Sequence, residues 1–146
     1  MEDQVTVCLY FDGYGDDPAV VTETIGIEPT RSYKNGDELP LKSGGTWNSH
    51  RTSWRLYSPL PKTASAEDHD LALLDRLEPH AERVRRASEL YNGAVQIGLL
   101  SKDRVFGFDL GRDEVRRLAA LGLGLTTDLY LFANEVGDQE APAPAV

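Results

Sequence analysis

The chain has a single cysteine and no long hydrophobic run, and both shortages restrict the class of protein to which it can belong. Cys8 is the only cysteine among 146 residues, so a disulfide within one chain is excluded. No apolar run approaches the roughly 20 residues of a membrane helix, and the acidic N-terminus is unlike a signal peptide. The sequence therefore predicts a soluble, cytoplasmic protein with a free thiol and an ordinary hydrophobic core.

Positive charge is also scarce, and the first 30 residues contain none. The chain has 15 Lys and Arg residues against 24 Asp and Glu residues, a net charge of −9. This charge argues against nucleic-acid binding, because the phosphate backbone would be repelled. Residues 1–30 contain seven acids, whereas residues 31–62 contain six basic residues and two acids. The middle segment is the one basic region of the chain.

No complete signature for catalysis, a metal or a bound phosphate is present. A glycine loop at 13–15 follows a predicted strand, as a dinucleotide-binding loop would, but Asp16 and Asp17 would repel a pyrophosphate there. The three histidines, His69 among them, lack metal-ligand spacing and are predicted to lie at the surface. Cys8 is predicted to be buried and inert. The sequence predicts no cofactor and no metal, and it favours a role other than catalysis.

Hydrophobic periodicity predicts the fold. Alternation from Val5 to Phe11 predicts a half-buried strand, and residues 18–25 predict a helix closed by Gly26. Further elements are predicted at 31–49 (short strands around an Asn-Gly turn), 52–57 (strand), 65–91 (helix broken at Pro79), 95–100 with 105–108 (a hairpin), 113–121 (helix) and 123–132 (strand). This order predicts an α+β fold with a largely antiparallel sheet and helices packed on one face, either ferredoxin-like or built from two related strand-helix-strand units.

The predicted domain is a single globular unit over residues 1–136, followed by a disordered tail at 137–146 that is rich in alanine and proline. Strand alternation also predicts what each face of the sheet carries. Leu125 and Leu129 of the last strand are expected to meet the helices. Tyr10, Asp128 and Tyr130 then lie on the opposite, open face, which binds a partner, pairs in a homodimer or is simply solvated.

Two other surfaces are candidates for binding. The first is the acidic loop, where Asp12, Asp16 and Asp17 would attract a basic partner and Tyr14 would be an aromatic anchor; helix capping is the simpler explanation of these acids. The second is the basic segment, where Arg51 and Arg55 lie among aromatic residues and would hold an anion. Alternatively, these two arginines only neutralise the acidic loop.

A set of short motifs spread along the chain resembles one known family. The motifs are Phe11-Asp12-Gly13, Asp17-Pro18, Ile25-Gly26-Ile27-Glu28-Pro29-Thr30, Lys34-x-Gly36-Asp37, Ser53-Trp54-x-Leu56-x-Ser58, Leu121-Gly122-Leu123 and Asp128-Leu129-Tyr130. Together they resemble the bacterial DUF4279 family, a domain of unknown function, over residues 5–132. The resemblance implies a small intracellular domain with no established enzyme activity, some of whose relatives are encoded near toxin systems, as expected of immunity proteins. It implies no catalytic residues.

These observations lead to two main hypotheses. The first is a non-catalytic protein-binding module, such as an immunity protein that neutralises a basic toxin, because complementary charge speeds association. The alternative is a small-anion-binding protein or enzyme that uses residues 31–57, with His50 as a general base. A homodimer through the open sheet face is a third reading. The sequence predicts no membrane or nucleic-acid partner.

Overall fold

The structure is a computed structural model, and it describes residues 3–12, 15, 17–102 and 107–131. In chain order the elements are β1 (Gln4–Asp12), α1 (Ala19–Ile25), β2 (Arg31–Tyr33), β3 (Glu38–Pro40), β4 (Thr46–Asn48), β5 (Ser53–Tyr57), α2 (Ala66–Leu77), a short 3-10 helix (Glu78–His80), α3 (Ala81–Tyr91), β6 (Ala94–Ser101), α4 (Arg112–Ala120) and β7 (Gly124–Leu131). Within these ranges, no helix has the length and apolar character needed to cross a membrane.

Five strands form one sheet in the order β2-β5-β1-β6-β7, while β3 and β4 form a separate two-stranded ribbon. Every neighbouring pair in the large sheet is antiparallel except β6 and β7, which are parallel. The predicted α+β fold with a largely antiparallel sheet is therefore confirmed. The two strand-helix-strand units differ, however, because β5 lies between β1 and β2, whereas β6 and β7 are adjacent.

The core lies between the sheet and the helices, and the alternation of β1 places it there. Val7, Leu9 and Phe11 point to one side and are at most 1% exposed. On β5, Trp54 is fully buried, and its ring meets that of Phe11 edge-on, with the centroids 5.6 Å apart. A side chain at Gly93 would clash with the Phe11 ring, since a Cβ atom there would lie 2.5 Å from it. The first strand is thus fixed in place by packing on its inner face.

Two arginines of helix α3 donate hydrogen bonds to the C-terminal ends of two other helices. Arg83 donates to the carbonyl oxygens of Glu23 and Thr24 at 2.7 and 2.8 Å, at the end of α1. Arg85 donates to the carbonyl oxygen of Ala120 at 3.0 Å, at the end of α4. A cation at the C-terminus of a helix satisfies carbonyl groups that have no partner within the helix. These two arginines are therefore explained by the fold.

Pro79 breaks the long helix as predicted, because residues 78–80 form a 3-10 turn between α2 and α3. The hairpin predicted at 95–100 and 105–108 is wrong where it can be checked. Residues 103–106 lie outside the described residues, residues 107–110 form no strand, and β6 has β1 and β7 as its two neighbours. The sheet positions that a hairpin partner would need are occupied. The predicted tail at 137–146 also lies outside the described residues.

The expected contact of Leu125 and Leu129 with the helices is wrong as well. These side chains share the face of the core strands, but they are 44% and 59% exposed, and Leu131 is 59% exposed. The reason is position in the sheet: α2 and α3 pack across β1, near the middle, whereas β7 is the end strand. The described residues thus leave a row of leucines on β7 open to solvent.

His69 is not a surface residue, contrary to its polar sequence context. It lies one helical turn before Leu73 on the inner face of α2 and is 2% exposed. Its Nδ1 atom is 2.8 Å from the hydroxyl of Ser58, and burial lowers the pKa of the imidazole. A helix with 3.6 residues per turn buries the residues four apart along one stripe, whatever their neighbours in sequence are.

Two acidic side chains are buried where α2 and α4 pack together. Asp70 of α2 is fully buried, and Glu114 of α4 is 5% exposed. Burial, together with the negative charge of Glu114, raises the pKa of Asp70 from its ordinary value of 3.8 to about 6. Burial also raises the pKa of Glu114. The folded protein therefore holds a proton on this pair more tightly than the unfolded chain does.

This pair makes stability depend on pH in a specific direction. As the pH rises from about 4 to about 6, the unfolded chain releases the proton first, so the free energy of unfolding should fall by on the order of 2 kcal/mol. The variant Asp70→Asn should flatten this part of the profile, whereas Asp68→Asn, at an exposed position of the same helix, should not. Urea unfolding at several pH values measures the difference. An identical slope in wild type and Asp70→Asn would contradict the assignment.

Candidate functional site

The sheet face opposite the helices carries a pocket of about 590 Å³, here called the sheet-face pocket. Its walls come from the large sheet, from the β3–β4 ribbon with the residues after it, and from the turn before β6. The lining residues are Tyr10, Asp12, Tyr33, Trp47, His50, Arg51, Arg55, Asn92, Gln96, Thr126 and Asp128. Strand alternation explains most of this set, because it sends every second residue of the sheet to the face away from the core.

Arg55 forms the floor of the pocket. It lies opposite Tyr10 in the register of β5 and β1, and its side chain is only 7% exposed. The guanidinium donates to the Asp12 carboxylate at 3.0 Å and to the amide oxygen of Gln96 at 2.8 Å, while its Nε atom donates to the Ser53 hydroxyl at 3.2 Å. A buried arginine with several acceptors around it has a fixed orientation.

The polar contacts continue across the sheet to β7. The side-chain amide of Gln96 donates to the carboxylate of Asp128. Beside it, the hydroxyl groups of Tyr10 and Thr126 are 3.2 Å apart and share a hydrogen bond. Asp12, Arg55, Gln96 and Asp128 thus form one connected row over four strands. Such a network orients each member through its neighbours.

The rim of the pocket is more exposed than its floor. The Arg51 side chain is 61% exposed, and its nearer guanidinium nitrogen is 3.7 Å from the Asp12 carboxylate. The rings of Trp47 and His50 meet edge-on with their centroids 6.0 Å apart. Tyr33 also lines the pocket but, unlike these rim residues, it is buried, and the guanidinium carbon of Arg31 lies 5.7 Å from its ring centre. The rim therefore offers a cation and aromatic surface to a molecule that enters.

The charges inside the pocket balance. Burial is the largest single influence on the pKa of Arg55 and alone would lower it, but the Asp12 carboxylate and the neighbouring Cys8 and tyrosine groups together shift this pKa upward, so the guanidinium stays charged. Arg51 and Arg55 are matched by Asp12 and Asp128, which makes the lining close to neutral overall. Cys8 lies next to the floor, 2% exposed, and burial raises its pKa to about 12. The prediction that this thiol is buried is confirmed, and at such a pKa it is protonated at neutral pH.

The structure brings together residues that the sequence placed on three separate surfaces. Tyr10 and Asp128 of the open face, Asp12 of the acidic loop, and Arg51 and Arg55 of the basic segment all line the sheet-face pocket. The pairing of β1 with β5 and β6, and of β6 with β7, places the strand residues among them on one sheet face.

The remaining predicted site residues do not line the pocket. Tyr130 lies on the same face two residues beyond Asp128 and is partly buried. Asp17 is exposed; it accepts a hydrogen bond from the backbone N–H of Ala19, the first residue of α1, at 3.0 Å and lies 3.2 Å from Lys34. Tyr14 and Asp16 lie outside the described residues.

Gln96 is the central residue that the sequence did not single out as a site. It sits between Arg55 and Asp128 and accepts from one while donating to the other. The sequence indicated this residue only weakly, because alternation in the segment 95–100 places Gln96 on the open face without identifying its partners. Asn92, with the left-handed φ of 63° that ends α3, also lines the pocket and had no signal of its own.

Comparison with known proteins adds a family but no activity. The family model described as Domain of unknown function (DUF4279) matches residues 3–132. No curated protein and no solved structure matches the chain. Among the described residues, no group of three or more His, Cys, Asp or Glu side chains is arranged to hold a metal ion.

The two arginines of the pocket should differ sharply in their effect on stability. Arg55→Ala leaves Asp12, which is 11% exposed, without its main partner, and this should cost about 3–5 kcal/mol. Arg51→Ala removes a largely exposed contact and should cost less than about 1 kcal/mol. Urea unfolding monitored by circular dichroism measures both. Equal costs for the two variants would contradict the assignment of Arg55 as the buried partner.

Proposed function

The chain belongs to the family described as Domain of unknown function (DUF4279), whose model matches it over residues 3–132, and we propose that its function is to bind a small polar molecule with an anionic group in the sheet-face pocket. One observation carries this proposal. A buried arginine with hydrogen bonds to three side chains forms the floor of a pocket whose rim carries a second, exposed arginine and aromatic rings. A sheet face that only contacts water would not need this arrangement.

The size and lining of the pocket support a small ligand. Its volume of about 590 Å³ falls within the roughly 300–1,000 Å³ that is usual for small-molecule sites. The floor is preorganised, because Arg55 is held by Asp12 and Gln96. A ligand therefore does not need to order these groups when it binds, which lowers the entropic cost of association.

Arg51 and His50 are the residues to which we assign the anionic group. Arg51 is the more exposed of the two arginines, so it can turn toward a ligand with little loss of existing contacts. His50 is exposed and follows Trp47 closely enough for their rings to touch. An arginine donates in a fork that matches a carboxylate or phosphate. A binding function is a simpler proposal than a catalytic one, because binding requires no activated nucleophile or base.

Titration of the intrinsic fluorescence tests this function. Trp47 lines the pocket, whereas Trp54 is buried in the core, so a ligand should change the Trp47 signal. We expect saturable binding of a small carboxylate or phosphate, drawn from benzoate, octanoate and inorganic phosphate, and a loss of affinity of about tenfold or more in Arg51→Ala. Trp47→Phe should abolish the signal but not the heat of binding.

Arg76→Ala is the matched control, since this arginine is exposed near the end of α2 on the other side of the molecule. It removes the same charge and should leave the affinity unchanged. Loss of binding in both arginine variants would indicate a general effect of charge. The proposal would be wrong if none of the probes gave saturable binding to the folded wild-type protein.

A second candidate function, binding to a basic protein such as a toxin, is favoured by a different observation. The row formed by Leu125, Leu129 and Leu131 is exposed on β7, and the chain carries a net charge of −9. An apolar patch on a strongly acidic protein suits a basic partner, because charge speeds the encounter and burial of leucines holds the complex. An immunity role would be one form of this activity.

The second candidate has its own test. A basic protein should co-purify in a stoichiometric amount at low salt and be lost at high salt. The double variant Leu125→Ser/Leu129→Ser should lose the partner while keeping the small-molecule affinity of the pocket, because the leucines lie on the opposite face of the sheet. Retention of the partner by this variant would contradict the assigned surface.

A further inference from the structure

The charges of the sheet-face pocket are ordered in space, with a cation at one end and a carboxylate at the other. Arg51 lies at the rim beside Asp12, and Asp128 lies on β7, at the far end of the row of polar contacts. Between them, Asp12 and Arg55 form a closed pair at 3.0 Å, with side chains 11% and 7% exposed. Because this inner pair is mutually neutralised, the groups left to attract a charged ligand are the two poles, Arg51 and Asp128.

Asp128 retains the capacity to bind a cation. It accepts one N–H of the Gln96 amide, but a carboxylate has two oxygens with about four acceptor positions. It is partly exposed and lines the pocket. Thr126 lies two residues before it on the same face of β7, and its hydroxyl is joined to that of Tyr10 by a hydrogen bond. An ammonium group would find several oxygen atoms at this end.

The separation of the poles sets the length of the ligand. Asp12 and Asp128 are joined through the guanidinium of Arg55 and the amide of Gln96, so their carboxylates are separated by three hydrogen bonds and two small planar groups. At ordinary hydrogen-bond lengths such a path is roughly 10 Å long when it is extended. The Arg51 guanidinium lies 3.7 Å from the Asp12 carboxylate, so Asp12 marks the position of the cationic pole to within one such contact. An extended peptide covers about 3.3–3.6 Å per residue, so a peptide of about three residues spans the same distance between its two charged ends.

We propose that the ligand of the sheet-face pocket is a zwitterion about 10 Å long, such as a short peptide or a long-chain amino acid, whose carboxylate binds Arg51 and whose ammonium group binds Asp128. This inference rests on the proposed small-molecule function and adds the second charge and the length. A pocket built only for anions would have an excess of positive charge, whereas the lining here contains two arginines and two carboxylates.

The test uses three probes of the same carbon chain: ω-aminooctanoate, which carries both charges, octanoate, which carries only the carboxylate, and octylamine, which carries only the ammonium group. Isothermal titration calorimetry on the full chain measures each affinity. We expect ω-aminooctanoate to bind at least about tenfold more tightly than either single-charge probe, because it makes one further charge-assisted contact. Glycine, whose charges are much closer together, should bind weakly.

Variants at the two poles separate the contributions. Asp128→Asn keeps an oxygen that can accept from Gln96, and it should reduce the affinity for ω-aminooctanoate to that for octanoate while leaving octanoate binding unchanged. Arg51→Ala should weaken both carboxylates and spare octylamine. Asp68→Asn, at an exposed position on α2, controls for the loss of one negative charge and should change nothing. Circular dichroism checks that each variant is folded.

The outcomes distinguish this inference from the function on which it rests. If octanoate and ω-aminooctanoate bind equally well to the wild type, the zwitterion inference is wrong, although the anion pocket stands. If the preference for ω-aminooctanoate survives in Asp128→Asn, the assignment of the cationic end is wrong. If ω-aminooctanoate does not bind, the zwitterion inference is wrong; if octanoate, benzoate and inorganic phosphate also fail to bind, the small-molecule function is overturned with it.

Discussion

The buried ion pair of Arg55 and Asp12 is the interaction on which the polar side of this fold depends. A guanidinium that is 7% exposed cannot remain charged in a protein interior without a close anion and further acceptors. Asp12, Gln96 and Ser53 supply these from the neighbouring strands and from β5 itself. The pair therefore ties together the strands that form the centre of the sheet and also determines where the other polar side chains of this face can lie.

The two faces of β1 show how one strand serves two purposes. Val7, Leu9 and Phe11 bury apolar area against the helices, and burial of apolar area is the dominant favourable contribution to folding. Tyr10 and Asp12 point the other way and belong to the pocket. Because successive side chains alternate, the core can hold the strand rigidly while its outer face carries polar groups. A binding site on a packed strand keeps its geometry better than one on a loop.

The packing of the helices also explains the unusual groups outside the pocket. Arg83 and Arg85 are engaged with helix ends, His69 lies on the inner stripe of α2, and Asp70 lies where α2 and α4 meet. The sequence predicted that His69 lies at the surface, and it did not single out the other three residues. Their positions follow from the angle at which a helix packs, which depends on distant parts of the chain. Charged residues that are close together in the sequence therefore did not indicate which charged side chains are in contact in the folded protein.

The sequence by itself determined the class of fold and most elements, because alternation, helical periodicity, Pro79 and glycines such as Gly26 act within a few residues of one another. It also identified Tyr10, Asp12, Arg51, Arg55 and Asp128 as candidates, but on three separate surfaces. Only the tertiary structure decided that they share one pocket, that Gln96 links them, and that the leucines of β7 are exposed. The physical reason is that the order of the strands, and which strands the helices cover, depend on long-range packing, which no local pattern encodes.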